Sequence, residues 1–327
     1  MIKSLAKKVA IIGIGHQGEK HLNAALELQK TGLLKIVGVC NTIRLQATYS
    51  VPTFNSYLDL FDKAKPEIII ISVPNNLHDE ISTEAMRRGI HVIKEKPLST
   101  TYTSALQLIN QSFQTNTYLF TTQQRYYSDL YMKSKSYISK LGIPASFNYV
   151  FTLNDIKNSW RWNLAMAGGG TWLNMGWHAI AMIQWLLGEV SSIEMSWKIS
   201  GKRSWFYNTD HTAFAKVILK NGTVGTIFVS CAHPVKQELL KVKYPNQILY
   251  LSRNNLRLFK NNRLKEVFSE EYSEDKLYFK QLQSIISDID SKRYNPLFDL
   301  YIMKTIQMGI FSASFNSSRI RINNTAT

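Results

Sequence analysis

The chain reads as an α/β protein: a doubly wound parallel sheet followed by a second domain of α+β character. Three observations predict this. Short β-branched apolar runs alternate with amphipathic helical stretches over roughly the first 120 residues. A G-x-G-x-x-G loop closes the first of those runs, and from about residue 123 strand-like runs follow one another directly. At 327 residues and 45% hydrophobic, the chain is long enough for two packed domains, expected at 1–122 and 123–327.

Each element follows from its local pattern. "KVAIIGIG" is a buried parallel strand, and "HQGEKHLNAALELQKTG" is a helix with Leu22, Ala25 and Leu26 on its apolar face, closed by Gly32. "LLKIVGVC" is a second strand and "SYLDLFDKA" a helix; "EIIIISV" is a third strand and "HDEISTEAMRRG" a helix ended by Gly89. "HVIKEKP", "YTSALQLINQSFQ" and "TYLFTTQQR" continue the alternation as strand, helix and strand. A helix is then expected around "YYSDLYMKSKSYISKLG" and a strand over "IPASFNYVFTL". The segment "GGGTWLNMGWHAIAMIQWLLGE" precedes the strand-like runs "SSIEMSWKI", "HTAFAKVIL", "TVGTIFVSCA", "LLKVKYP" and "QILYLS". Asn221-Gly222 between two of these is a hairpin signal, and strands following strands point to an antiparallel or mixed sheet. "LYIMKTIQMGIFSASFNS" is expected as a last helix and "SSRIRI" as a last strand.

Composition excludes several classes. No apolar run reaches the 18 residues of a membrane span, and "VAIIGIG" after the basic "MIKSLAKK" lacks the small-residue cleavage site of a signal peptide. Cys40 and Cys231 belong to no C-x-x-C or spaced Cys/His set, which predicts a reducing, cytoplasmic setting and no metal site. The net charge of +16 is scattered among acids rather than gathered in a block, so a nucleic-acid partner is not expected. That such a field draws in an anionic cofactor or a phosphorylated substrate stays open.

Chemistry concentrates at three places. Gly13, Ile14, Gly15, His16, Gln17 and Gly18 form the glycine loop; its turn lets backbone approach a pyrophosphate at the positive end of a helix. An NAD site usually carries an acid at the end of the second strand to hold the ribose hydroxyls. "CNTIR" offers Asn41, Thr42 and Arg44 instead, which removes a repulsion against a 2′-phosphate and favours NADP slightly over NAD; Arg44 either meets that phosphate or points to water. The second place lies past the third and fourth strands, where such sheets bind ligands: Ser72, Pro74, Asn75 and His78 in "SVPNNLH", then Glu95, Lys96 and Pro97. Lys96 there can bond a substrate hydroxyl and a cofactor ribose, or relay a proton. The third is Asn174 and His178, four apart on one helical face behind Gly168–Gly170; His178 can act as acid or base, though a histidine between tryptophans is more often a packing residue.

These segments, "GIGHQG", "VPNNLH", "EKPLS", "QQRYYSDL", "KLGIP", "GGGTWLNMGWHAIAMIQWLLG" and "LKNGTVGTI", resemble in order and spacing the Gfo/Idh/MocA family of NAD(P)-dependent sugar and cyclitol oxidoreductases. The resemblance implies a Rossmann domain that binds the dinucleotide, Gln124 included in that site, then a substrate and oligomerisation domain with a large, mostly antiparallel open sheet. It implies a homo-oligomer and a carbohydrate-like small-molecule substrate bound between the domains. It assigns Lys96 to substrate and nicotinamide ribose, and His178 to acid/base work at the reacting carbon. Arg125, Tyr126, Trp160, Arg161 and Trp162 are candidate substrate contacts, since aromatic faces cover sugar C–H surfaces and arginine binds hydroxyl or phosphate oxygens; packing is the competing reading for each. Two positions depart from the family pattern. Asn174 and Met182 stand where aspartates are usual, which leaves the proton to His178 and Lys96. A dinucleotide-binding regulator or scaffold, or an enzyme using the cofactor transiently for elimination, hydrolysis or epimerisation, are the alternatives.

Overall fold

A computed structural model describes residues 6–41, 50–155, 160–199 and 209–322. Two compact units result: residues 1–99, 103–127 and 273–298 form the first, and 100–102, 128–272 and 299–327 the second. The division is discontinuous where the sequence reading cuts the chain once.

In the first unit, β1 (Lys7–Ile12), β2 (Leu34–Cys40), β3 (Thr53–Phe54), β4 (Ile68–Ile71), β5 (His91–Lys94) and β6 (Leu119–Thr121) pair in parallel in the order β3-β2-β1-β4-β5-β6. Between them run α1 (His16–Lys30), α2 (Tyr57–Ala64), α3 (His78–Arg87) and α4 (Tyr102–Gln114). The order reverses between β1 and β4, and the crevice beyond their carboxyl ends is where such a sheet binds ligands. β4 is four consecutive isoleucines, all fully buried, as a strand covered on both faces requires.

In the second unit α5 (Asp129–Ile138) precedes β7 (Ser146–Asn154); α6 (Leu164–Ala167) and α7 (Trp177–Leu187) follow. The strands β8 (Val190–Ile199), β9 (Asp210–Leu219), β10 (Val224–Ser230), β11 (Ala232–Tyr244), β12 (Gln247–Ser252), β13 (Asn255–Lys260) and β14 (Arg263–Ser269) come next. They assemble in the order β14-β13-β12-β11-β7-β10-β9-β8-β15, closed by the short β15 (Ile320–Arg321). Pairing is antiparallel except between β7 and β10. Asn221-Gly222 makes the β9–β10 hairpin, with Gly222 at φ 86°.

Two helices lie between β14 and β15, α8 (Glu274–Asp290) and α9 (Leu297–Ser314). Ser273 caps α8 by accepting from the Lys276 N–H, and Glu274 and Asp275 complement its dipole. Its Leu282, Ile285, Ile286 and Ile289 are buried with Val9, Leu22 and Leu28 in the core of the first unit. Each such side chain contributes about 1.5–3 kcal/mol by leaving water, so α8 is structural to the parallel sheet despite its distance in sequence.

Candidate functional site

The glycine loop opens α1 at the switch point. Gly13 adopts φ 89°, and a Cβ there would lie 2.3 Å from the Ser72 carbonyl oxygen; one on Gly18 would lie 1.9 Å from that of Gly13. Gly15 is different: its φ is −94° and no atom lies within 4 Å of a Cβ built on it. Gly15 also caps α1 without a side-chain bond. The first N–H groups of a 15-residue helix are thereby directed at open space beside a close-packed turn, a cradle suited to an anion. The loop therefore fits the pyrophosphate of a dinucleotide. Asn41 follows β2 directly and its Oδ1 accepts from the Ile14 N–H at 3.4 Å, drawing the amide toward the loop. Thr42 and Arg44 lie outside the described residues.

Beyond β4, Val73 and Pro74 lead through Asn75 to α3. His78 is buried and hydrogen-bonded through Nε2 to the Val73 carbonyl at 2.9 Å. Burial and the charge of Lys94 push its pKa down to about 3, so the ring is neutral and Nε2 is the donor. Its Nδ1 has no partner among the described residues. The ring supports the Val73–Pro74 turn from within.

Beyond β5 comes Glu95-Lys96-Pro97, with a cis Lys96–Pro97 bond. The segment is held from two sides. Behind it the fully buried Lys94 pairs with Asp79 at 3.2 Å and donates to the Leu98 carbonyl at 2.8 Å, while the Ser99 hydroxyl donates to Asp79. In front, Glu95 Oε1 receives His21 Nε2 at 2.9 Å and Gln124 Nε2 at 3.3 Å. Burial raises the Glu95 pKa, but the hydrogen bond and charge of His21 and the charge of Lys96 outweigh it and hold the carboxyl below its usual range. Arg125 is buried beside Gln124, and Tyr126 packs edge-on against Phe298 at 6.0 Å.

In the second unit the residues from Thr171 to Gln184 are buried except two, Asn174 and His178. These two half-buried positions, four apart, interrupt an otherwise buried apolar segment. The chain widens into a π-helical turn over Trp172–Gly176, around Asn174, before α7 begins. Met182, one turn past His178, is buried. Phe151 stands edge-on to the His178 ring at 6.2 Å. Trp160 lies under Arg161, whose guanidinium is 5.0 Å from the ring centre, whereas Trp162 is buried at 2% exposure with its Nε1 unpartnered among the described residues.

Asp210, at the start of β9, fixes this segment. Its Oδ2 accepts from the Trp172 N–H at 2.7 Å, and a Cβ on Gly170 would lie 2.2 Å from its Oδ1. Burial pushes its pKa up to about 6 against the hydrogen bonds of Trp172 and Gly170. Because the folded-state value lies above the ordinary 3.8, the folded protein takes this proton first, and the favourable contribution present below pH 4 is lost as pH rises through about 6. The stability difference between the wild type and Asp210→Asn should therefore shift toward the wild type on acidification from pH 7 to 4, by on the order of 3 kcal/mol. Urea titrations across that range measure it; a difference that does not move with pH contradicts the assignment.

Sequence reasoning missed His21, Lys94, Asp79 and Asp210. His21 had a legible signal, since Gln17 and His21 share one helical face behind the glycine loop. The others are defined by charged or backbone partners on other elements, Lys94 with Asp79 and Asp210 with Trp172.

A six-stranded parallel sheet in this order, with a glycine cradle at its switch point and a lysine turn on the same edge, defines a dinucleotide-binding Rossmann unit. Two family models match the chain: one described as oxidoreductase family, NAD-binding Rossmann fold, over residues 7–121, and one as GFO/IDH/MocA C-terminal domain, over 139–247. The chain belongs to the Gfo/Idh/MocA oxidoreductase family. Among its relatives, the rhizopine catabolism protein MocA of Rhizobium meliloti is 24% identical over 190 residues, 56% of this chain and 57% of that protein. Inositol 2-dehydrogenase of Salmonella typhimurium is 31% identical over 109 residues, 31% of this chain and 32% of that one. Levoglucosan dehydrogenase of Pseudarthrobacter phenanthrenivorans is 25% identical over 146 residues, 42% and 37% of the two chains. The matches thus span 57% or less of these curated relatives. The fold agrees throughout with a solved levoglucosan dehydrogenase in complex with NADH and levoglucosan, at TM-score 0.87 and 16% identity over 98% of this chain and 100% of that one. Among the described residues no helix is long and apolar enough to cross a membrane, and no group of three or more His, Cys, Asp or Glu side chains is placed to hold a metal.

Proposed function

We propose that the protein is an NAD(P)-dependent dehydrogenase or reductase acting on a CH–OH carbon of a sugar, a sugar derivative, phosphorylated or nucleotide-linked forms included, or a cyclitol. The observation that carries this reading is the lysine turn: Lys96 follows β5 on the ligand edge of a sheet whose glycine cradle fits a dinucleotide, and buried polar groups hold it on both sides. Relatives named as inositol 2-dehydrogenase and levoglucosan dehydrogenase support a polyhydroxylated substrate.

When bound, the nicotinamide cofactor accepts or supplies the hydride. This chain's own residues then manage the proton. Lys96 bonds the substrate hydroxyl and orients it, and His178 takes the hydroxyl proton as the C–H bond breaks, or returns it in reduction. Asn174 bonds substrate but carries no proton. The absence of a carboxylate at Asn41 favours NADP slightly over NAD. A cytoplasmic homo-oligomer remains part of the proposal.

The test is a panel of sugars and cyclitols assayed with both cofactors, alongside titrations of NADH and NADPH by fluorescence. Turnover on a panel member that falls by about 100-fold or more in Lys96→Ala, with cofactor still bound, is expected. Tight nucleotide binding without turnover on any member would instead favour a regulator or scaffold.

A further inference from the structure

We infer that Tyr278, from α8, is a positioning residue that couples the glycine loop to the lysine turn. The inference rests on the dinucleotide reading of the loop. The Tyr278 hydroxyl donates to Gln17 Oε1 at 2.7 Å and lies 3.4 Å from Glu95 Oε1. Gln17 is the second residue of α1, in the cradle itself; Glu95 is covalently joined to Lys96. One hydroxyl therefore stands between the two halves of the cofactor edge.

The chemistry of the three groups makes this a choice rather than a static brace. A phenol has one proton to give, and two acceptors compete for it: the Gln17 amide oxygen, which holds it at the shorter distance, and the Glu95 carboxylate. Gln17 sits where a pyrophosphate would draw N–H donors. If its amide turns an N–H toward that anion or toward the phenol oxygen, the hydroxyl proton turns to Glu95, a charge-assisted acceptor. Glu95 would then collect Tyr278 in addition to His21 and Gln124 on the same oxygen. The ring is already fixed for either state, edge-on to His21 at 4.7 Å. Occupancy of the loop thus tightens the residue next to Lys96. Because α8 is buried in the core of this unit, the tyrosine moves little while its proton changes partner.

The experiment is a double-mutant cycle on the dissociation constants of NADH and NADPH, read by fluorescence titration without turnover. Tyr278→Phe keeps the ring against His21 and should unfold within a few degrees of the wild type. It should weaken the preferred dinucleotide by about threefold to tenfold. Combined with Glu95→Gln, the losses should fall short of multiplying by at least twofold, because both variants cut one path. In steady state, Tyr278→Phe should lower kcat by about tenfold with KM for the sugar altered less than threefold, since Lys96 would be present but unset. Unchanged dinucleotide affinity in Tyr278→Phe, or losses that multiply within error, overturns the coupling. A wild type that binds dinucleotide and turns over no sugar would remove the proposed activity while leaving the cycle readable. A wild type that binds neither dinucleotide overturns both.

Discussion

Asp79→Asn is expected to destabilise the protein by about 3–5 kcal/mol, more than Lys94→Met, although the two variants delete opposite halves of one ion pair. The asymmetry follows from exposure. The Lys94 side chain is 0% exposed, whereas that of Asp79 is 31% exposed. Without Asp79, the ammonium keeps the Leu98 carbonyl but loses its counter-charge in a place water does not reach. Without Lys94, the carboxylate still takes the Ser99 hydroxyl and is partly hydrated, so the cost is roughly 1–3 kcal/mol, mostly the orphaned Leu98 carbonyl. Burial already holds the Lys94 pKa below its ordinary 10.5 against the attraction of Asp79, and removing that attraction lowers it further. A base with a lowered folded-state value gains stability as pH rises through that value toward 10.5, so Asp79→Asn should recover at pH 9 relative to pH 7 while Lys94→Met should not. Urea unfolding at the two pH values measures both effects. Equal costs, or an Asp79→Asn variant flat in pH relative to the wild type, would show that the pair is not the strut behind Lys96.

How much of the molecule is legible in its sequence depends on how far apart the partners lie. The glycine loop, the lysine turn and the Asn221-Gly222 hairpin are local: a few adjacent residues dictate the backbone, and all are formed where the pattern placed them. The alternation of strands and helices predicts the parallel sheet because each βαβ unit closes over a short span. The two-residue β3 has too few residues to show a period. β14 was hidden for another reason: "KNNRLKEVFSEEYSEDK" reads as a charged surface that runs into the first turn of α8, whose buried face shows only further on, in Leu277, Leu282, Ile285 and Ile289. Tyr278 meets Gln17 across 261 positions, and no rule of spacing predicts that. The candidate site residues are legible as chemistry; the groups that brace them are legible only as packing.

The two glycines that flank the start of α1 should separate ligand from fold. Gly18→Ala places a methyl 1.9 Å from the Gly13 carbonyl oxygen, backbone against backbone, where neither partner can rotate away. Its cost is expected at several kcal/mol, as for other forced overlaps in close-packed positions, and thermal unfolding should show it plainly. Gly15→Ala is the opposite case. Its φ of −94° suits any residue and its methyl meets nothing within 4 Å, so stability should fall by less than about 1 kcal/mol, the small difference between Gly and Ala at a helix cap. Yet that open volume is where a pyrophosphate must approach the first N–H groups of α1. Gly15→Ala should therefore weaken NADH and NADPH binding by on the order of 100-fold in a protein that melts as the wild type does. If the variant binds both dinucleotides with wild-type affinity, the empty space beside Gly15 is a feature of the turn alone, and the cofactor site lies elsewhere.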